Sequence, residues 1–198
     1  VEASGEFEAP KAQADLDIAA FGSELRILRE SRIFWFGLVA KIVAAFCLGS
    51  HFATRWFAPF LYSAVHGGFS NPWATFMAKG EPLAFPYGPA MLGILIPAWL
   101  PAMFMSFDPS SHLGLLLLRL PLLSADFVVL VLLMRWLRVY ARDVVVAYWL
   151  SPVVFYATYV HGQLDLIPTA LLCVTIFLLF KRRVLTGAVV FGVALATK

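Results

Sequence analysis

Six apolar runs constrain the fold of this chain more than any other feature of its sequence. They cover residues 33–49, 89–106, 113–134, 144–160, 163–180 and 186–198. With 61% hydrophobic and 14% charged residues, the chain also carries far fewer charges than a soluble domain, in which about 25% is typical. Because a helix needs about 20 apolar residues to cross a bilayer, the sequence predicts an all-α fold, a polytopic transmembrane helix bundle. We therefore expect an integral, multi-pass protein of a bacterial inner or plasma membrane, or of the eukaryotic endoplasmic reticulum.

The segments around the first and last runs complete the predicted layout. Residues 1–32 are polar, which predicts a cytoplasmic tail with a short amphipathic helix near its end. Residues 50–88 are too polar to span and rich in aromatics, which predicts a long outward loop on the membrane surface. Its candidate interfacial anchors are Trp56, Phe57, Tyr62 and Trp73. The run 186–198 is too short to cross a core of about 30 Å, so we expect it to be truncated.

The basic residues predict which end of the bundle faces the cytoplasm. Segments 135–142 and 181–183 together carry six basic residues, so the positive-inside rule places both in the cytoplasm and the turn 161–165 outside. The arginines within residues 26–32 also favour the cytoplasm. If 89–106 is one simple crossing, however, the number of crossings puts residues 26–32 on the side opposite to segments 135–142 and 181–183. The sequence leaves open whether that proline-broken run is re-entrant or split, or whether one basic cluster violates the rule.

A polar cluster follows the fourth apolar run and is the strongest candidate site. His161, Gln163 and Asp165 present an imidazole, an amide and a carboxylate within five residues. In a helical turn, His161 and Asp165 would share one face. Such groups could bind sugar hydroxyls, a phosphate or a metal ion, and the alternative is a polar cap at the membrane surface.

Charged residues within the apolar runs form a second candidate cluster. Arg119 and Asp126 are seven residues apart, about two helical turns, so they should face one side. Ionisable groups at membrane depth are costly and usually face a cavity or a partner. Arg119 could hold a phosphate by bidentate hydrogen bonds, or each residue could pair with another helix. Lys41, inside the first run, must snorkel or face the protein interior.

The remaining candidates lie in the segment 50–88, and soluble catalytic motifs are absent from the sequence. His51, Arg55, Glu81 and Tyr87 carry titratable groups there, although a single such residue is more often a surface residue than a catalyst. No Walker, GxGxxG, GxSxG, HExxH or CxxC motif occurs. No basic block of the kind that binds nucleic acid occurs either, so no nucleic-acid partner is expected.

The order of these features resembles the GT-C superfamily of polyprenyl-phosphate-sugar-dependent integral membrane glycosyltransferases. The resemblance spans residues 33–198 and begins with a first span followed by a long outward loop. The further matching features, in chain order, are the entry Phe85-Pro86-Tyr87-Gly88-Pro89, Arg119 with Asp126, Ser151-Pro152 before the turn His161–Asp165, and Lys181–Arg183 before a Gly-rich run and Lys198. Each motif is short, and their order and spacing are more specific than any one of them.

The resemblance implies a mannosyltransferase-like, inverting transfer of a sugar on the extracytoplasmic side. The implied partners are a polyprenyl-phosphate-linked sugar, the lipid bilayer, and a glycan, lipid or protein acceptor. The family's presumed base is an Asp just after the first span, where this chain has Gly49-Ser50-His51-Phe52. Candidate catalytic residues are therefore Asp165, His51 and Glu81, and candidate substrate-binding residues are Arg119, His161, Gln163, Arg55 and Tyr87. No metal ligand is assigned, and a divalent cation is left open as a cofactor.

Two other functions fit the same sequence. A transporter or lipid flippase could use Lys41, Arg119 and Asp126 along a polar pathway. A non-catalytic membrane assembly subunit would account for the missing carboxylate after the first span.

Overall fold

The regular elements of the described residues are all helices. The computed structural model describes residues 21–68 and 70–198, and the predicted all-α class is confirmed there. The α-helices are α1 Arg32–Cys47, α2 Ala58–His66, α3 Pro72–Ala78, α4 Pro89–Trp99, α5 His112–Trp136, α6 Ala141–Val144, α7 Pro152–Phe155, α8 Leu166–Phe180 and α9 Val184–Ala196. The π-helical turns Ala53–Phe57, Val145–Trp149 and Tyr156–His161 precede α2 and extend α6 and α7, and the 3₁₀ segments Leu100–Phe104 and Arg138–Tyr140 follow α4 and α5.

The segment before α1 belongs to the fold. Residues 21–30 are helical, and Glu24 within them pairs with Arg135 at the end of α5 (Nε to Oε1 3.0 Å). Leu28 is buried on the same face, as the predicted amphipathic helix requires. The rest of the predicted tail, residues 1–20, lies outside the described residues.

Helices α1 and α5 lie side by side in opposite directions. The Glu24–Arg135 pair joins the start of α1 to the end of α5. At the other end, the Arg119 guanidinium near the start of α5 donates to the Leu48 carbonyl, just after α1. The 25 residues of α5 therefore run back along the whole of α1.

The segment from α6 to the π-helical turn Tyr156–His161 runs parallel to α1. The indole N–H of Trp149 donates to the Phe34 carbonyl near the start of α1 (3.0 Å), and Gly162 lies against Ser50 beyond its end. The segment bends by 44° between Trp149 and Pro152. Proline has no N–H to donate and disfavours helical backbone at the preceding residue, Ser151. The predicted span 144–160 is thus broken at its Ser-Pro step.

Helices α8 and α9 form a tight antiparallel hairpin beside α5. The residues Ile167 to Val174 of α8 lie along Leu120 to Val128 of α5, so these two helices are parallel. Gly187 of α9 would place an added Cβ 3.3 Å from a Leu179 methyl of α8, which shows how closely the hairpin packs. The ends of the hairpin return Lys198 to the level of Asp165 (Nζ to Oδ1 2.5 Å).

The chain from Gly88 to Ser110 begins and ends at one end of the bundle. Before α4, the Gly88 N–H donates to the Thr197 carbonyl after α9 (3.1 Å). After Phe104, the Ser110 hydroxyl donates to the Thr54 carbonyl, close to the end of α1 (2.7 Å). Helix α5 therefore starts at the same end where α4 started.

This arrangement gives the bundle two chemically different ends. Residues 26–32, 135–142 and 181–183 lie together at one end, which we call the basic end. The end of α1, Gly88, the start of α5 and Asp165 lie at the opposite end, which we call the pocket end. The parity conflict in the sequence arises from counting 89–106 as a single crossing.

Residues 50–88 fold around an apolar core that they share with α4, α5 and the start of α8. Phe60 and Phe85 stack with ring centroids 4.6 Å apart, and the Trp73 indole donates to the Phe85 carbonyl (3.2 Å). Phe57, predicted as an interfacial anchor, is only 5% exposed, so that prediction is wrong. Aromatic residues suit both a membrane surface and a core, and the sequence does not distinguish them.

Helix lengths bear on the predicted membrane bundle. Within the described residues, α5 alone is long and apolar enough to span a bilayer, and Arg138–Trp149 with Pro152–His161 would count as a second span if they act together. The helices α1, α8 and α9 are apolar but have 13 to 16 residues. A long core helix of a soluble protein passes the same test as α5, so the multi-pass bundle remains a prediction.

Candidate functional site

A cavity of about 440 Å³ opens at the pocket end. Its wall combines aromatic rings with a few polar groups, as ligand sites commonly do. The lining residues are Phe52, Trp56, Phe57, Leu83, Pro86, Tyr87, His161, Gly162, Gln163 and Asp165. The cavity thus brings together Tyr87, His161, Gln163 and Asp165, four residues that the sequence analysis selects from two separate segments.

The turn after His161 directs its polar side chains into this cavity. Gly162 has φ 83°, a left-handed conformation that ends the helix and that other residues adopt only at a cost. An added Cβ would lie 2.7 Å from the Ser50 hydroxyl oxygen. The turn is not helical, so the condition under which His161 and Asp165 would share one helical face is not met. They line the same cavity from either side of the turn.

Aromatic contacts hold the His161 ring in place. The Tyr156 ring lies nearly parallel to it, with centroids 6.3 Å apart and 11° between planes. Phe52, just after α1, meets it edge-on at 5.4 Å. The sequence did not indicate Phe52, and it indicated Trp56 only as an interfacial anchor. The signal that could have found them as site residues is their helical spacing of four residues.

Asp165 is paired with Lys198 across the mouth of the cavity. The Lys198 ammonium lies 2.5 Å from Asp165 Oδ1, with the side chains 60% and 45% exposed. The same ammonium is 5.7 Å from the centre of the Tyr87 ring. Burial, and then the nearby Asp165 carboxylate, raise the pKa of the Tyr87 hydroxyl to about 12. Tyr87 is therefore a neutral hydrogen-bonding group at physiological pH.

The other candidates from residues 50–88 lie at the rim. His51 meets the Trp56 ring edge-on at 5.6 Å but is not among the lining residues. Arg55 Nη2 lies 3.6 Å from Glu81 Oε1 in a largely exposed ion pair. Neither Arg55 nor Glu81 lines the cavity, so each would reach a ligand only above its mouth.

Arg119 lies behind the cavity, within the bundle. It is fully buried and its guanidinium donates to the carbonyls of Ala45 (3.0 Å) and Leu48 at the end of α1. These carbonyls lack helical partners, and a cation there also favours the helix dipole. The geometry gives Arg119 a structural role and does not bring it to the cavity.

Lys41, Asp126 and Tyr159 form a buried network that ties three helical segments together. Lys41 Nζ lies 2.6 Å from Asp126 Oδ2, and the Tyr159 hydroxyl donates to the same oxygen at 2.8 Å. The Lys41 ammonium also lies 3.5 Å from the centre of the Trp149 ring. Arg119 and Asp126 lie on one side of α5, as the sequence predicts, and both contact α1. Of the two alternatives for Lys41, the structure has it facing the interior. Tyr159 and Trp149 were missed, because aromatic residues are unremarkable in an apolar run.

Neither a metal site in the described residues nor a match to a known protein adds to this description of the site. In residues 21–68 and 70–198, no three His, Cys, Asp or Glu side chains come together as a metal site. Comparison with protein-family models, curated proteins and solved structures finds no match to this chain.

Proposed function

We propose that this chain is the membrane module of an inverting GT-C-type glycosyltransferase, which transfers a sugar from a polyprenyl phosphate to an acceptor at the pocket end. The observation that carries the proposal is the cavity at that end. Aromatic rings of Trp56 and Tyr87 offer flat faces for the C–H side of a sugar ring. The Gln163 amide and the Asp165 carboxylate offer hydrogen bonds to its hydroxyls.

The membrane location is supported by the outer surface of the bundle. Large apolar side chains are exposed along the helices, including Phe36 at 71% on α1 and Val189 at 60% on α9. Contiguous exposed apolar surface marks a membrane or a protein interface. Most of the arginines lie at the end opposite the cavity, in segments 26–32, 135–142 and 181–183, so the positive-inside rule orients the cavity outward.

In the proposed reaction, an acceptor hydroxyl attacks the anomeric carbon of the donor sugar. The new carbon–oxygen bond forms as the bond to the polyprenyl phosphate oxygen breaks, and polyprenyl phosphate leaves. Asp165 takes the acceptor's proton as general base, after its carboxylate exchanges Lys198 for the acceptor. His51 and Glu81 remain the alternative bases, and Arg55 at the rim is a candidate to stabilise the leaving phosphate.

The test is sugar transfer by the purified protein in detergent, with polyprenyl-phosphate sugars as donors. We expect Asp165→Asn to lower turnover by at least about a hundredfold, because a general base contributes roughly 10²–10⁴. Asp108→Asn is the matched control, since Asp108 is an exposed turn residue whose Oδ1 accepts from the Ser110 N–H (2.8 Å). Transfer that survives in Asp165→Asn but is lost in His51→Ala would make His51 the base. Absence of both transfer and donor binding would contradict the proposal.

A further inference from the structure

The turn between α8 and α9 contains three consecutive basic residues, Lys181, Arg182 and Arg183, which we call the basic turn. The N–H of Arg182 donates to the Leu179 carbonyl (2.9 Å) and the N–H of Arg183 to the Leu178 carbonyl (2.9 Å). This pattern closes α8 and requires a left-handed residue, for which Gly or Asn is usual. Arg182 occupies that position with φ 56°. An arginine is thus kept at a position that a glycine would fill with less strain.

The basic turn lies on a rim of exposed apolar side chains. Phe180 before it is 77% exposed, and Val184 and Leu185 after it are 63% and 81% exposed. Arg182 and Arg183 are themselves exposed. Cationic groups next to exposed aromatic and aliphatic side chains form the pattern that binds the interface of a bilayer.

Neighbouring elements add further positive charge around the basic turn. The Lys181 ammonium lies 5.8 Å from the Phe177 ring, and the Arg135 guanidinium at the end of α5 lies 5.5 Å from the same ring. The exposed arginines of the basic end, in the part of the chain that the structure describes, are Arg26, Arg29, Arg32, Arg138, Arg142, Arg182 and Arg183. The exposed carboxylates of that end, within the same residues, are Glu30 and Asp143.

We propose that the basic turn binds the phosphate headgroups of anionic phospholipids, with Arg182 and Arg183 as the main donors. Guanidinium groups match phosphate oxygens in pairs of hydrogen bonds, and an anionic leaflet attracts basic residues next to a membrane helix. An acidic protein or nucleic acid would use the charges but not the apolar rim. The inference rests on the membrane location in the proposed function and is independent of sugar transfer.

The experiment measures lipid retention on the full chain by native mass spectrometry. The protein is purified in detergent and mixed with micelles that contain phosphatidylglycerol or phosphatidylcholine. We expect preferential retention of phosphatidylglycerol. Arg183→Gln should weaken this retention roughly fivefold, because each basic residue near an anionic surface raises the affinity by about that factor. Lys79→Gln, which removes an exposed cation of the segment 50–88, is the control and should retain phosphatidylglycerol as the parent does.

Arg182→Gly separates lipid binding from fold stability. Glycine relieves the left-handed backbone, so thermal stability should hold or rise while phosphatidylglycerol retention falls roughly fivefold. Any of three results would overturn the lipid site. These are equal retention of both lipids by the parent, unchanged phosphatidylglycerol retention in Arg182→Gly, and a loss of phosphatidylglycerol retention in Lys79→Gln as large as that in the arginine variants. Alkaline extraction of cell membranes distinguishes the failures: a chain that stays in the membrane with unchanged retention contradicts the lipid site alone. A chain that is extracted contradicts the membrane location as well.

Discussion

Among single residues, the buried charges are the ones whose placement follows most directly from sequence. Because Arg119 and Asp126 are two turns apart on α5, their spacing alone puts both on one side of that helix. Their partners were not predictable. Lys41 is 85 residues from Asp126 along the chain. The acceptors of Arg119 are backbone carbonyls, which every residue has, so the sequence does not single them out. The Asp165–Lys198 pair was missed for the same reason, since only the α8–α9 hairpin brings the two together.

Tyr87 gives the fold a dependence on alkaline pH. Its hydroxyl titrates near 10 in an unfolded chain and at about 12 in the fold, so the folded state binds its proton more tightly. The resulting stability is fully present below pH 10 and is lost as the pH rises through 12. Between pH 9 and pH 12, the free energy of unfolding of Tyr87→Phe should fall by about 1–2 kcal/mol less than that of the parent. Thermal unfolding in detergent measures this difference. Parallel losses in both proteins would contradict this assignment.

At the scale of elements, the close contact between α1 and the π-helical turn Val145–Trp149 depends on one glycine. Gly37 faces the Trp149 ring, and an added Cβ would lie 2.5 Å from its Cδ1 atom. The sequence predicts neither the contact nor the break after Trp149, because apolar runs without periodicity do not show which residues face one another. The proline run 89–106 was predictable as irregular, although its return to the same end required the contacts of Gly88 and Ser110.

Gly37→Ala should destabilise the bundle by about 1–3 kcal/mol, because the tryptophan ring has to move and its hydrogen bond to Phe34 is disturbed. The matched control is Gly192→Ala on α9, where no atom lies within 4 Å of the added carbon. Thermal unfolding of the two variants in the same detergent makes the comparison. An equal effect of both substitutions would show that helix propensity, not packing, governs these positions.

The Lys41–Asp126 pair should behave as a structural tie between α1 and α5. Removing one partner leaves a buried charge unpaired, so Lys41→Met and Asp126→Leu should each cost about 3–5 kcal/mol. The double variant should recover most of that loss, because two apolar residues replace the pair without leaving a charge. Thermal unfolding of the four proteins measures the coupling. Additive losses would contradict the tie and revive the transport alternative, in which each residue acts separately.

The whole molecule is organised by the contrast between its two ends. Seven exposed arginines lie at the basic end, and the aromatic cavity, with Arg55 at its rim, lies at the other. Composition alone predicted the helices and the cytoplasmic basic segments. It did not predict the cavity, which assembles residues from α1's end, the segment 50–88 and the turn after His161.

Cysteine labelling in cells can test this arrangement. In a background with Cys47 and Cys173 replaced by Ala, Gln163→Cys should react with an impermeant maleimide from outside. Arg183→Cys and Arg29→Cys should react only after permeabilisation, because both lie at the basic end. Outside labelling at position 29 would mean that the segment Pro89–Phe104 crosses the bilayer. Inside labelling at position 163 would remove the cavity from outer-leaflet chemistry.

The two partners of the buried Lys41–Asp126 pair are synthesised at different times. Lys41 leaves the ribosome 85 residues ahead of Asp126, which at 5–20 residues per second is an interval of roughly 4–17 s. A lysine near the middle of a lone helix costs about 2.5–3.5 kcal/mol to place in a bilayer. In the proposed membrane location, nascent α1 should therefore stay beside the insertion machinery until α5 emerges and supplies its carboxylate. Loss of Asp126 would then expose an orphaned, charged helix to quality control before the rest of the protein is made.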